Sequence, residues 1–197
     1  MMDPVRRQVF LVAGKALLLL PFLLALWYAA AGPLAYVPGK LALPVIRVVS
    51  DGLTSMELKG RAIIYTVKLE MPYRPGNTPR VAADIDVAAA KFTYGMALFL
   101  ALALAAKESR RPVGIAIGCA ILLVTPAIGI AFDALVQLGA TPGMDAFLRW
   151  SGGTREAVAL GYQVGTLLIP TLAPVAIWLV LVRQMWAPVF APAEIGT

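Results

Sequence analysis

Residues 161–183 read GYQVGTLLIPTLAPVAIWLVLVR. The run is apolar for longer than the roughly 20 residues that a spanning helix needs, and it carries no charge before Arg183. A helix that only anchored would be mostly Leu, Ile and Val. This one opens on Tyr162 and Gln163, spaces Gly161 and Gly165 four apart, and holds prolines at 170 and 174. Glycines at that spacing let a second helix approach closely. Pro170 and Pro174 each remove a backbone donor and crowd the carbonyl four residues back, so a bend is expected there. In lipid the freed carbonyls need other partners, and Thr166 and Thr171 are the candidates. The segment reads as a packing helix, and the other hydrophobic segments as what it packs against.

Composition sets the class around it. The chain is 60% hydrophobic and 14% charged, with a mean hydropathy of +0.80, which is the profile of an integral membrane protein. A pI near 9.7 invites a nucleic-acid reading. The basic residues stand instead at the ends of apolar runs, where membrane topology explains them, so the expected partner is the lipid bilayer and not nucleic acid. The one cysteine, Cys119, lies inside an apolar run and has no intrachain disulfide partner. There is no histidine. That excludes His-based triads, His metal sites and imidazole acid–base chemistry, and no cofactor or metal site is expected.

Working outward, residues 1–32 are expected as the first span: Arg6 and Arg7 precede an apolar run from about Val9 to Ala31, with Lys15 and Pro21 inside it and Trp27 and Tyr28 near its far end, where interfacial aromatics belong. Ala29–Ala31 also resembles a small-residue cleavage site, which makes a signal peptide the competing reading. Residues 33–87 change character. Residues 43–51 are expected as a short amphipathic helix at the membrane surface, ending at Gly52. The period then becomes two: Ile63, Tyr65, Val67, Leu69 and Met71 alternate with Ile64, Thr66, Lys68 and Glu70. Met56 and Leu58 suggest a strand before this one, and Val81, Ala83, Ile85 and Val87 one after it. PYRPGNTP at 72–79 is a loop. Three strands make a small antiparallel sheet, too small to stand without the membrane or a partner.

A second span is expected at 88–106 and a third at 112–138, opened by Pro112 and separated from the second by KESRR at 107–111. Residues 139–156 form a loop, residues 157–183 the fourth span, and residues 184–197 a tail. Arg6 and Arg7, KESRR and Arg183 alternate as four spans with both termini cytoplasmic require. The fold class is therefore mostly α and integral to the membrane: four transmembrane helices, with a small periplasmic antiparallel β region between the first and second.

Helix-packing or partner contact is expected at Gly114, Gly118, Tyr162, Gln163, Gly165, Pro170 and Pro174. Asp133 is a candidate intramembrane polar site, though a place near the outer end of its span would also leave it simply wet. Cys119 has no base or cation near it in sequence to form a thiolate, so it reads as a packing residue. Asp84 and Asp86 alternate with apolar residues and read as the solvated face of a strand.

Two stretches point to a family. DIDVAAAKFTYGMALFLALALAA at 84–106, a strand leading through Tyr-Gly into an apolar helix, resembles the corresponding junction of the exosortase H-associated membrane proteins. YQVGTLLIPTLAPVAIW at 162–178 is similar to the last helix of that family. Ala88–Ala90 stands where an Asn-Pro-like turn into the helix is expected. The resemblance implies an inner-membrane accessory of an exosortase, a membrane cysteine transpeptidase-like protease that processes surface proteins with a short C-terminal sorting signal. It implies no enzymatic activity for the accessory, and a membrane-embedded exosortase or other membrane protein as partner. IPTL at 169–172 is similar to the start of such a signal, but it lies inside the span with Arg183 close behind, which argues against this chain being a substrate. Two rival classes stay open. A subunit of an envelope assembly or export apparatus (pilus or polysaccharide) would use the sheet as a docking edge. A membrane enzyme or transporter would cluster intramembrane charge, for which Lys15, Lys91 and Asp133 are the only material.

Overall fold

The computed structural model describes residues 4–49, 53–70, 80–106, 112–141, 148 and 150–183. KESRR, the whole 72–79 loop and the tail lie outside them. The chain begins with one long helix, α1 (Pro4–Val49). At about 1.5 Å per residue its 46 residues reach about 69 Å, more than twice the roughly 30 Å of a hydrocarbon core.

The separate surface helix expected at 43–51 does not form. α1 runs on through Gly32, Pro33, Pro38 and Pro44. Each internal proline removes one helical hydrogen bond, but the far half of α1 is held by what covers it. Ala31, Ala35, Ala42 and Ile46 are fully buried there. Gly39 lets the sheet come close: a Cβ at that position would lie 2.5 Å from Ile63 Cδ1 and 2.8 Å from Met56 Cε. Ala29–Ala31 lies in the middle of this helix.

The sheet is as the alternation predicts. β1 (Leu53–Lys59), β2 (Ala62–Glu70) and β3 (Arg80–Val87) form an antiparallel sheet in the order β1-β2-β3. Lys59 pairs with Ala62, so the first hairpin turns on Gly60 and Arg61. Gly60 has φ +66°, the left-handed conformation that two-residue hairpin loops demand. Ile63, Tyr65 and Val67 pair with Val87, Ile85 and Ala83 on the inner face. That face packs on the far half of α1 and on α5 (Pro126–Ala140), which supply the cover that three strands lack alone.

Tyr65 ties these layers together. Its side chain is fully buried, and its hydroxyl donates to the Gly39 carbonyl of α1 at 2.8 Å. Burial raises the phenol well above its ordinary value, because the phenolate would lose its hydration. The folded chain therefore binds this proton more tightly than the unfolded chain. The stability it contributes is whole below the unfolded pKa of about 10 and is lost as pH rises beyond that value. Tyr65→Phe should cost about 1 kcal/mol at neutral pH and should lose less stability than wild type between pH 9 and 12. Chemical denaturation across that range checks both; parallel pH profiles would refute the second.

After β3 the chain turns through Ala88–Ala89 without an Asn-Pro pair. Lys91 N–H donates to Ala88 O and Phe92 N–H to Ala89 O, both at 3.1 Å. Then come α2 (Ala90–Thr93), Tyr94, and α3 (Gly95–Ala105). The third expected span is α4 (Pro112–Val124) continued by α5, with Thr125 between them still in helical conformation. The fourth begins earlier than expected, as α6 (Gly152–Gln163), capped by Ser151 Oγ accepting from Thr154 N–H at 3.1 Å. A π-helical turn (Val164–Leu168) leads into α7 (Ile169–Leu181).

Two cores result. One joins the far half of α1, the sheet, Phe92 and α5. The other joins Val12 and Ala16 of α1 with Phe99, Leu122 and Trp178. Around the second core runs a belt of exposed large apolar side chains: Phe10 to Leu26 on α1, Val113 to Ile128 on α4–α5, and Leu160 to Val180 on α6–α7; the far half of α1 exposes others beyond it, at Tyr36, Val37, Leu41, Val45 and Val48. The three stretches of the belt are about 24, 22 and 30 Å long. Three helices, Arg7–Val48, Pro112–Ala140 and Gly152–Leu181, are long and apolar enough to cross a membrane; the apolar helix Ala90–Ala105 is shorter.

Candidate functional site

Polar contacts between elements gather just beyond one end of the apolar belt. Trp27 Nε1 on α1 donates to Thr93 Oγ1 at 3.1 Å. The Arg61 guanidinium at the hairpin tip lies 3.5 Å from the Tyr28 ring centroid, a stacking contact of the cation–π kind. The centre of the layer is an ion pair. Lys91 Nζ on α2 lies 2.9 Å from Asp133 Oδ2 on α5. Gln137, one turn on, donates to the same oxygen from Nε2 at 3.3 Å. The Lys91 ammonium also stands 5.0 Å from the Phe92 ring centroid and 5.6 Å from that of Tyr162.

Asp133 is not wet. Its side chain is 5% exposed, against 37% for Lys91. A buried carboxylate is tolerated when paired and hydrogen-bonded, and both conditions are met. The pair fastens the strand-to-helix joint of α2 onto the middle of α5. In sequence Lys91 stands among the chain's few charges near a span, and Gln137 does not stand out. The available signals were the i,i+4 spacing of Asp133 and Gln137, which puts both on one helix face, and the rarity of charge in so apolar a chain.

Beside the pair runs a seam of glycines. A Cβ on Gly165 would lie 2.5 Å from Gly129 Cα and 3.0 Å from Gly129 N, so the π turn and α5 touch backbone to backbone. The turn has a local cause. Pro170 has no N–H to return to Thr166, and Ile169 N–H reaches back to Val164 O, five residues away. Thr166 Oγ1 donates to Tyr162 O, which is not one of the carbonyls that Pro170 and Pro174 free. The Thr171 hydroxyl meets that of Tyr94 at 3.0 Å. A Cβ on Gly95 would lie 2.7 Å from Pro170 O and 2.8 Å from Pro174 Cγ. The Tyr-Gly junction and the IPTLAP stretch thus meet in space through Pro170, Thr171 and Pro174, and residues 169–172 are helical, not a free extended peptide.

The remaining sites are dispersed. Gly114 faces Leu181, with Cδ2 2.9 Å from a Cβ there, and Gly118 faces the Phe99 ring. Pro170 and Pro174 are buried. Gln163 is exposed and belongs to neither the seam nor the ion pair. Cys119 packs, half-buried, in the core around Phe99. Asp84 and Asp86 lie on the exposed face of β3. Among the described residues no group of three His, Cys, Asp or Glu could hold a metal ion.

Among known families, the model described as exosortase H-associated membrane protein matches residues 4–185. No curated protein and no solved structure matches the chain.

Proposed function

Because the chain belongs to the exosortase H-associated membrane protein family, we propose that it is a non-enzymatic accessory of an exosortase-type protein-sorting system in the inner membrane. It binds the exosortase or presents the exosortase's substrate. The family match over residues 4–185 carries this reading. The packing supports it. Glycine, alanine and proline close several helix contacts, and large apolar side chains such as Phe22, Leu26, Leu167 and Val180 face outward, as surfaces meeting lipid or a partner helix do.

In this reading the apolar belt is the bilayer-facing surface, since its 22 to 30 Å approaches the thickness of a hydrocarbon core. The sheet and the far half of α1 then stand in the periplasm, and α2 and α3 together complete a fourth span. Both termini are cytoplasmic, following the placement of Arg6, Arg7, KESRR and Arg183. Reporter fusions at Asn77 and after Thr197 should report opposite compartments. The same compartment for both would refute the four-span topology.

Co-purification from native membranes tests the function. The tagged chain should recover an exosortase; recovery of a pilus or polysaccharide-export assembly instead would replace this reading. The Lys91–Asp133 pair favours a second reading, a transporter or membrane enzyme, because a buried carboxylate at the edge of an apolar bundle is a functional-site candidate. That reading requires Asp133→Asn to abolish activity while the protein stays folded. The accessory reading requires processing of the exosortase's substrate to follow folded protein level alone.

A further inference from the structure

An open cleft of about 310 Å³ lies between β3 and the end of α5, lined by Asp84, Ile85, Gln137, Ala140 and Thr141. Asp84 and Ile85 are consecutive on a strand, so their side chains point to opposite faces of the sheet. Asp84 is exposed and Ile85 is buried in the core. A cleft that touches both must run along the edge of the strand, against its backbone. β3 is an edge strand, since the order is β1-β2-β3. An edge presents a row of backbone donors and acceptors that a further strand can pair. The other wall is the last turns of α5.

The lining has a sign. Asp84 is the charged residue in it. Asp84 Oδ1 accepts from Thr66 Oγ1 at 2.8 Å, and a carboxylate has acceptor capacity beyond one bond. Asp86 continues the charge on the same face two residues along. A second copy of β3 centred on this cleft, with Asp84 opposite Asp86, would set acid against acid, which is destabilising; a register shifted to bring Arg80 opposite Asp84 avoids that only with a shorter overlap of the two strands. A strand carrying a basic side chain would set opposite charges together.

We propose that this cleft receives an extended peptide segment of another polypeptide, bearing a basic side chain, by strand addition to β3. The inference deepens the accessory reading and rests on it, since it supplies the surface on which a substrate polypeptide would be presented. The probe is a fluorescein-labelled octapeptide of alternating Val and Thr with one central Arg, compared with the same peptide carrying Glu. Each is titrated onto the full chain in nanodiscs.

The Arg peptide should bind at least tenfold more tightly than the Glu peptide, and Asp84→Lys should reverse that order. Ala140→Trp, which fills the cleft from the exposed end of α5, should weaken both peptides at least tenfold with an unchanged melting temperature. Amide I bands of a ¹³C-labelled Arg peptide should show β pairing on binding. Equal affinity for the two peptides, absence of binding, or indifference to both variants would overturn the proposal. So would cross-linking that places a second copy of β3 in the cleft. Exosortase recovery with Asp84→Lys is measured alongside. Recovery with no peptide binding to wild type sinks the cleft and leaves the accessory reading intact; loss of recovery from wild type sinks the accessory reading itself.

Discussion

Gly165→Leu is expected to open the bundle at the π turn and to cause one of the two largest losses of stability in the chain. The reason is what stands opposite. A Cβ there would sit 2.5 Å from Gly129 Cα and 3.0 Å from Gly129 N. Those are backbone atoms, which no rotamer change can move aside. Overpacking a tight site costs about 1–3 kcal/mol, and with backbone on both sides the upper end applies. In an apolar bundle, close van der Waals fit carries much of the association. The other glycines give a graded control. Gly161 faces the Phe132 ring and Gly114 faces Leu181 Cδ2, side chains that can turn, so Leu should cost less at either position. Gly14 has nothing within 4 Å, and Gly14→Leu should be neutral. Thermal unfolding in detergent, followed by tryptophan fluorescence, gives the order Gly165, then Gly161 and Gly114, then Gly14. A Gly165→Leu melting temperature equal to that of Gly14→Leu would mean that the seam carries no stability.

That seam also marks how far the sequence could be read. The spacing of Gly161 and Gly165 said that a neighbour comes close, because small residues expose backbone. It did not say which neighbour. Gly129 has no small residue four positions away within α5 that would single it out as one of a pair, and the Gly129–Gly165 approach exists only once α5 and the π turn are packed. The sheet was legible in advance because its signal is local: Tyr65, Val67 and Leu69 alternate with Thr66, Lys68 and Glu70, and alternation is a property of one strand. α1 was misread for the converse reason. Gly32, Pro33, Pro38 and Pro44 each speak locally for a break. What overrides them is tertiary cover, from Ile63 and Met56 against Gly39 to the Tyr65 hydroxyl on the Gly39 carbonyl. The Tyr-Gly junction and IPTLAP were both conspicuous, yet nothing in one-dimensional spacing says that Tyr94 meets Thr171.

The ion pair was hidden in the same way, since Lys91 and Asp133 belong to separate helices, and it supports the second large prediction. The two ends of the pair are unequal. Asp133 is almost wholly enclosed, while more than a third of the Lys91 side chain is exposed. Lys91→Met removes the cation and leaves a buried carboxylate with Gln137, at 3.3 Å, as its described side-chain donor. Breaking a buried pair from one side costs about 3–5 kcal/mol. Solvent access at the lysine end lowers that, so about 3 kcal/mol is expected. Asp133→Asn is the milder change. It keeps the shape and an acceptor for Gln137, and the released ammonium can turn toward water, so about 1 kcal/mol is expected. The double variant Lys91→Met with Asp133→Leu removes both charges and should recover most of what Lys91→Met loses, because an apolar replacement of a buried pair is often near neutral. The loss in Lys91→Met should change little with added salt, since a buried charge is poorly screened. A double-mutant cycle built from Lys91→Met, Asp133→Leu and their double, with Asp133→Asn beside it, measures this on the protein in nanodiscs. Equal losses from the two single variants that simply add in the double would mean that the pair is an exposed contact and that α2 is held to α5 by Phe92 packing alone.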